Sequence, residues 1–162
     1  MILFNIKKLE KLLIEEKITD KQVFNYLLTY LIISAIAASF TSNLPVWLES
    51  TQLMVNLIAL IWGVRKTFEI NREGDNKDYL KRIISLSFVA GIRVGVFAFI
   101  ILFIYNLTHE ILALTGTTSG ISSSREDILI LVGFLIATGF YYYTLLTSFK
   151  RVNSAAEQLE AA

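Results

Sequence analysis

One arginine, Arg93, interrupts an otherwise uncharged apolar stretch of the chain. Residues 83–107 contain no other charged side chain. As a helix this stretch would be about 37 Å long, which is enough to cross a hydrocarbon core of about 30 Å. Arg93 would then lie near the middle of a bilayer, where a charge without a partner costs about 2.5 kcal/mol or more. Its guanidinium group is therefore expected to bind a carboxylate, a phosphate or backbone carbonyl groups.

Each of the other apolar segments contributes one polar residue at the predicted depth of Arg93. These residues are Ser34, Asn56 and Thr138. No carboxylate falls at that depth, and the nearest one, Glu49, lies about 10 Å closer to the outer surface. Two interpretations remain open. Either Arg93 presents its charge to an anion, a lipid headgroup or another protein, or it bonds backbone carbonyls and Asn56 and stabilises the bundle.

Further polar residues fall on the same helical face as Arg93. An α-helix turns by about 100° per residue, so Arg82 and Ser85 share that face and Asp78 lies just off it. Asp78 and Arg82 are four residues apart, a spacing typical of a surface ion pair. Their alignment with Arg93 would also allow a polar track from the cytoplasm. Because Arg82 is nearer to water, its loss is expected to matter less than the loss of Arg93. The candidate ligand- or partner-binding residues are Arg93, Asn56, Glu49, Arg82, Asp78 and Ser85.

Small residues at a spacing of four mark candidate helix-packing surfaces. Gly91 and Gly95 project from the face opposite Arg93, and Gly133 and Ala137 repeat the spacing in the last apolar segment. Such pairs let a second helix approach closely within a membrane. The helix that carries Arg93 is therefore expected to be central, and one of the two pairs is expected to lie in a subunit interface.

The composition predicts an all-α, polytopic membrane protein. Hydrophobic residues make up 54% of the 162 residues, and the mean hydropathy is +0.58, both high for a soluble domain. The transmembrane domain is predicted at residues 19–151, preceded by an amphipathic helix at 1–18 and followed by a disordered or artificial tail at 152–162. Its four transmembrane helices are predicted at residues 23–40, 46–64, 83–107 and 128–149.

The N-terminal segment is expected to form an amphipathic helix. Its apolar side chains fall on one side and its lysines on the other, as in helices that lie on a membrane surface. The same pattern is also typical of a helix packed on the bundle or on another subunit. Thr19 and Gln22 have the spacing of a capping box, which predicts the start of the next helix.

The distribution of basic residues predicts the orientation. Of the 15 lysines and arginines, five precede the first apolar segment, six lie within residues 65–82, and Lys150 and Arg151 follow the last segment. The opposite side has only Arg125. The excess of basic residues on the cytoplasmic side of membrane proteins places both termini in the cytoplasm. We expect a multi-pass protein of a bacterial-type cytoplasmic membrane.

Several functional classes are not favoured by the sequence. It has no cysteine, one histidine and a net charge of +1, so neither a metal site, a cofactor nor a nucleic-acid partner is expected. It also lacks a phosphate-binding glycine loop and a nucleophile elbow, so enzymatic activity is not expected. The expected partners are the lipid bilayer and either a second copy of the chain or another membrane protein, with an anionic ligand or a lipid headgroup as an option at Arg93.

Two functions remain open. The first is a non-catalytic subunit of a homo-oligomer or membrane complex, in which Arg93 pairs with an acidic group of a partner. The alternative is a small transporter or channel with a polar or anion path past Arg93. The small size favours the subunit, because transporters usually need repeated halves, whereas the polar residues at mid-depth favour transport.

Overall fold

The computed structural model describes residues 2–38, 44–114 and 123–160. In these residues it contains five helices, which confirms the predicted all-α class. The helices are α1 (Ile6–Ile14), α2 (Asp20–Ala38), α3 (Val46–Glu73), α4 (Tyr79–Leu114) and α5 (Ser123–Glu160). Two of them, α4 and α5, contain segments long and apolar enough to cross a membrane, at Tyr79–Tyr105 and Asp127–Ala156.

Local side-chain bonds fix the starts of the first two helices. The Asn5 side chain accepts a hydrogen bond of 2.9 Å from the backbone N–H of Lys8 and so caps α1. Before α2, the Thr19 N–H donates to Gln22 Oε1 at 3.1 Å, and the Gln22 N–H donates to Thr19 Oγ1 at 3.4 Å. These reciprocal bonds are the capping box that the sequence predicts.

The last three helices extend beyond the apolar segments that predict them. Helix α3 continues to Glu73 and ends at Gly74, because no glycine or proline interrupts the charged residues that follow the apolar part. Helix α5 has 38 residues and would be about 57 Å long. It continues through residues 152–160, where the sequence predicts a tail without structure. Val152 and Asn153 are buried there, so packing orders a segment whose composition looked unstructured.

Helix α4 contacts each of the other four helices, as expected for a central helix. Helix α5 packs against α3 and α4, and α1 lies across both α4 and α5. Although α2 and α3 follow one another in the chain, their described residues do not pack together. Instead, α2 lies against α4, while α3 lies mainly against α5.

The buried core lies at one end of the bundle. It combines the apolar side of α1 with the first turns of α2 and α4 and a late part of α5; its members include Ile6, Leu9, Leu13, Val23, Tyr26, Leu86, Val89, Leu145, Phe149 and Val152. The Tyr26 ring packs against the Phe88 ring at a tilt of 49°, with ring centroids 5.3 Å apart. Its hydroxyl accepts a hydrogen bond from the Ile2 N–H at 2.8 Å. Of the two locations predicted for the amphipathic helix, the structure therefore has the one on the bundle.

The other end of the bundle is apolar and exposed. In an apolar 18-residue stretch of each helix, only 17% of the residues of α4 and 6% of those of α5 are buried within the chain. The core helix of a soluble domain would be mostly buried instead. Residues such as Phe97, Phe99 and Phe103 are exposed on successive turns of α4. This exposure favours association with a membrane, because lipid can cover apolar helices on every side.

Candidate functional site

A buried ion pair joins the α3–α4 turn to α4. Asp75 lies in the turn, and its carboxylate receives two hydrogen bonds from Arg82, Nη1 to Oδ1 and Nη2 to Oδ2, both 2.5 Å long. The Arg82 and Asp75 side chains are only 4% and 2% exposed. Two parallel bonds between a guanidinium and a carboxylate give both strength and a fixed orientation.

Two asparagines complete this group and connect it to α3 and α5. Arg82 Nη1 also donates to Asn71 Oδ1 at 3.1 Å and to Asn153 Oδ1 at 2.7 Å. The Asn153 amide in turn donates to the backbone oxygen of Ile70 at 2.5 Å. We call Asn71, Asp75, Arg82 and Asn153 the Arg82 cluster. The cluster connects three helices and one turn through side chains that are largely shielded from solvent.

The electrostatics of the Arg82 cluster keep Asp75 charged. Burial by itself raises the pKa of the Asp75 carboxyl group, since a charge is less stable away from water. The hydrogen bonds from Arg82 and the Lys77 backbone, together with the positive charges of both residues, outweigh this effect and hold the pKa below the usual 3.8. The Asp75 carboxylate is therefore ionised at neutral pH, and it is not suited to donate a proton there.

The close approach of α5 to the turn depends on Gly74. A Cβ atom built on Gly74 would lie 2.7 Å from Asn153 Nδ2 and 2.8 Å from Asn153 Cβ. Any larger residue would push α5 away and lengthen the bond between Asn153 and Arg82. Asn76 and Asp78 have φ angles of 52° and 44°, in the left-handed region, which turns the chain back sharply after α3.

The predicted ion pair between Asp78 and Arg82 is wrong. Asp78 precedes the first residue of α4, and its left-handed backbone conformation removes it from the helical spacing that predicted the pair. Its carboxylate lies 3.7 Å from Lys81 Nζ and is half exposed. Asp75, which lies in the turn before α4, is the partner of Arg82 instead.

The predicted polar track from the cytoplasm to Arg93 is not continuous. Arg82 is buried and bonded within the cluster through Nη1 and Nη2. Ser85 is fully buried, with no hydrogen-bond partner for its Oγ among the described residues. Val89 is fully buried on the same face. Arg93 lies beyond these buried residues with an exposed side chain. The face thus changes from packed core to open surface between Val89 and Arg93.

Arg93 has no hydrogen-bond or ion-pair partner within the described part of the chain, and it lies in an apolar segment of α4. Asn56 and Glu49, its expected neighbours, are exposed on α3. Because α3 packs mainly on α5, it holds both residues on a helix that has little contact with α4. The interpretation in which Asn56 helps to satisfy Arg93 has no support from this arrangement.

The helix-packing residues also differ in their surroundings. A Cβ atom on Gly91 would lie 3.9 Å from the Tyr141 ring, so Gly91 faces α5, whereas Gly95 and Gly133 have nothing within 4 Å. Ala137 is half-buried. The closest contact is at Gly63, which the sequence did not single out. There the Tyr142 ring occupies the space that a Cβ atom would need. Ala59 lies four residues before Gly63, so the spacing of small residues was a signal in the sequence that could have marked it.

A second ion pair attaches α1 to the bundle. Glu10 Oε1 lies 3.0 Å from Arg151 Nη2, although the angles are not those of a hydrogen bond. The Glu10 side chain is 8% exposed and that of Arg151 is 47% exposed. Glu10 thus places a charge on the buried side of an amphipathic helix, opposite a partly solvated arginine.

In the described parts of the chain, the structure has five helices, two of which are candidates to span a membrane. Among the residues it describes, no group of three or more histidine, cysteine, aspartate or glutamate side chains could hold a metal ion. Comparison of the chain with known protein families, characterised proteins and solved structures finds no match.

Proposed function

We propose that the chain is a non-catalytic subunit of a membrane complex. In this proposal α2 to α5 cross the membrane, and both termini and the α3–α4 turn lie in the cytoplasm. The basic residues support this orientation, because they flank the packed end of the bundle and are nearly absent from the other end. Reporters fused at residues 70 and 118 should then localise to opposite sides, and localisation on the same side would contradict the topology.

The exposed guanidinium group of Arg93 carries the proposal. It lies in a segment with a mean hydropathy of 2.4, and no described residue of the chain neutralises it. Charged side chains inside membranes are usually paired or face a water-filled cavity. Arg93 therefore needs an anionic group from outside the chain, and it is presented on an open, apolar surface where another helix can reach it.

The sequence favours a different protein, rather than a second copy, as the source of this group. No aspartate or glutamate occurs within residues 23–40, 83–107 or 128–149. Within residues 46–64, the apolar part of α3, the one carboxylate is that of Glu49, far from the predicted midplane. A second copy that aligned its α4 with this one would bring two arginines together. A partner helix with a membrane-embedded carboxylate would form a bidentate pair with Arg93.

The open glycines offer a packing surface for a further helix of the complex, on the face of α4 opposite Arg93. Gly95 lies two residues after Arg93 and has free space around its Cα atom, as does Gly133 on α5. Small residues allow helices to approach closely where lipid would otherwise intervene. Gly95→Leu should therefore weaken the complex, while Gly91→Leu should disturb α5 first, because Gly91 already faces Tyr141.

The alternative of a transporter or channel with an anion path receives less support. A path along α4 would need polar groups open to water between Arg82 and Arg93. Ser85 and Val89, which separate them, are instead fully buried in the core. Anion flux through the pure protein in liposomes would favour transport and contradict the subunit proposal.

Purification from the native membrane tests the proposal directly. We expect a stoichiometric partner to co-purify with the wild-type chain, to be lost with Arg93→Leu and to be partly retained with Arg93→Lys, which keeps the charge without the planar fork. Phe97→Leu, one turn further along α4, serves as the matched control and should leave the partner bound. If Arg93→Leu retains the partner, Arg93 is not the binding residue.

A further inference from the structure

An open depression lies on the side of α3 that is directed away from the bundle. Gly63, Thr67 and Asn71 are buried and mark the side of α3 that packs on its neighbours. Since a helix turns by about 100° per residue, the residues that line the depression fall on the opposite side. Its volume is about 520 Å³, and its lining comes from α3 alone: Ile58, Ile61, Trp62, Arg65, Lys66 and Glu69. We call these six residues the outer α3 face.

The side chains of the outer α3 face change in character along the helix axis. Ile58 and Ile61 are 65% and 60% exposed, so the end nearer the predicted midplane is apolar. Trp62 follows at 53% exposed, and the charged residues begin three positions later at Arg65. Tryptophan and basic residues at the end of an apolar segment are typical of a membrane interface. The same order, from apolar to charged, runs through a phospholipid from its acyl chains to its phosphate.

One positive charge of the outer α3 face is not balanced. Lys66 Nζ lies 2.9 Å from a carboxylate oxygen of Glu69, so these two charges form an ion pair. Arg65 is exposed and has no hydrogen-bond or ion-pair partner among the described residues. The face therefore keeps a net charge of +1, carried by a guanidinium group whose planar donors suit two oxygens of a phosphate.

Trp62 supplies a further donor next to Arg65. Its ring packs edge-on against Tyr142 of α5, with ring centroids 6.3 Å apart, so α5 holds the indole in place. The indole N–H has no acceptor in the part of the chain that the structure describes. An indole N–H is a donor only, and it can bond an ester or phosphate oxygen of a lipid.

We propose that the outer α3 face binds the headgroup of an anionic phospholipid, with its phosphate on Arg65 and its glycerol region beside Trp62. The proposal rests on the membrane insertion of α3 proposed above. An anionic headgroup is favoured over a zwitterionic one, because one unbalanced guanidinium group neutralises one negative charge. The carboxylate of the face, at Glu69, is already paired with Lys66 and does not attract the amine of a zwitterionic lipid.

Quenching of Trp62 fluorescence by brominated lipids tests the proposal. The chain has two tryptophans, so Trp47→Phe leaves Trp62 as a reporter within the face. The protein is reconstituted in mixtures of phosphatidylglycerol and phosphatidylcholine in which one or the other lipid carries bromine on its acyl chains. The two series give the ratio of the binding constants of the two lipids at Trp62. We expect phosphatidylglycerol to be favoured by about fivefold, the effect of one cation near an anionic lipid.

Three variants in the Trp47→Phe background locate the origin of this preference. Arg65→Gln should bring the ratio close to one. Arg72→Gln makes the same change on an exposed residue of α3 that lies about 10 Å further along the helix and does not line the depression, so it should retain the preference. Glu69→Gln releases Lys66 from its ion pair and should raise the ratio by about a further fivefold.

The outcomes distinguish the lipid site from membrane insertion. Quenching by both lipids with a ratio close to one before any further change overturns the site and leaves insertion intact. A ratio that falls equally in Arg65→Gln and Arg72→Gln indicates attraction by the whole basic surface, and it also overturns the site. A preference that survives Arg65→Gln does the same. Absence of quenching by either lipid contradicts the insertion of α3 and the lipid site together.

Discussion

The two ends of the bundle differ in the surroundings of their arginines. At the packed end, Arg82 is almost fully buried and bonded to Asp75, Asn71 and Asn153. At the open end, Arg93 is exposed on the same helix and has no partner among the described residues. The two side chains lie on one face of α4, about three turns apart.

The difference shows for which arginine the chain itself supplies hydrogen-bond and ion-pair partners. The Arg82 cluster needs no outside group, because its donors and acceptors are supplied by three helices and a turn. Arg93 lies where the helices offer only apolar side chains. A buried arginine with a complete set of partners indicates a structural role, whereas an exposed one in an apolar segment indicates a site for another molecule.

The largest expected effect comes from breaking the Arg82 cluster. Arg82→Leu leaves the Asp75 carboxylate buried without its partner, which typically costs about 3–5 kcal/mol. This expectation reverses the order predicted from the sequence, in which Arg82 mattered less than Arg93. Thermal unfolding in one detergent should show a large loss of stability for Arg82→Leu and little change for Arg93→Leu. Equal losses of stability in the two variants would mean that the two arginines do not differ in their structural role.

A paired substitution sharpens the same test. Removing both charges, as in Asp75→Leu with Arg82→Met, avoids leaving one charge alone in the core. Buried ion pairs replaced by apolar residues often lose little stability. The double variant should therefore unfold closer to the wild type than either single variant does. Additive losses would mean that Asp75 and Arg82 do not interact energetically, and they would contradict the expectation.

Substitution of the glycines should also affect stability at the packed end and not at the open end. Gly63→Ala places a methyl group against the Tyr142 ring, and overpacking of this kind costs about 1–3 kcal/mol. Gly95→Ala meets open space and should be neutral or slightly stabilising, because alanine favours a helix by about 1 kcal/mol over glycine. Unfolding temperatures measured on the pure chain check both expectations, and a destabilised Gly95→Ala would mean that the open end is packed.

Acid should weaken the packed end selectively. The pKa of Asp75 is lower in the folded chain than its usual 3.8, so its contribution to stability is fully present above that value. The contribution is lost as the pH falls through the folded pKa, below 3.8. Stability measured from neutral pH downward should decline there, and Asp75→Asn should remove this part of the decline. An unchanged profile in the variant would exclude Asp75 as its source.

The smallest expected effect is at the partly solvated ion pair that holds α1. Arg151 is about half exposed and does not form an aligned hydrogen bond with Glu10, and such pairs contribute about 0–1 kcal/mol. Arg151→Gln should lower the unfolding temperature only slightly. Leu9→Ala, which empties a fully buried position on α1, should cost about 2–5 kcal/mol and serves as the positive control.

Local pattern alone determined the helices of this protein. The apolar blocks predicted α2 to α5, and the Thr19–Gln22 spacing predicted the start of α2, because bonds within one turn of a helix depend on residues three or four apart. The sequence also showed that basic residues cluster at one end of the predicted bundle and that Arg93 is the only charge in its segment, because both features depend only on residue type and position in the chain.

Only the tertiary structure decided which polar residues meet. Asn153 lies 71 residues after Arg82 in the chain. Asp75 contacts Arg82 because the turn between them contains residues in the left-handed region. Neither the contact of Arg82 with Asn153 nor that with Asp75 follows a helical spacing. The same holds for Gly63, whose importance depends on a ring carried by α5, and for the amphipathic helix, whose pattern fits a membrane as well as a bundle. Such contacts depend on how helices are arranged in space, and the periodicity of a single helix contains no information about that arrangement.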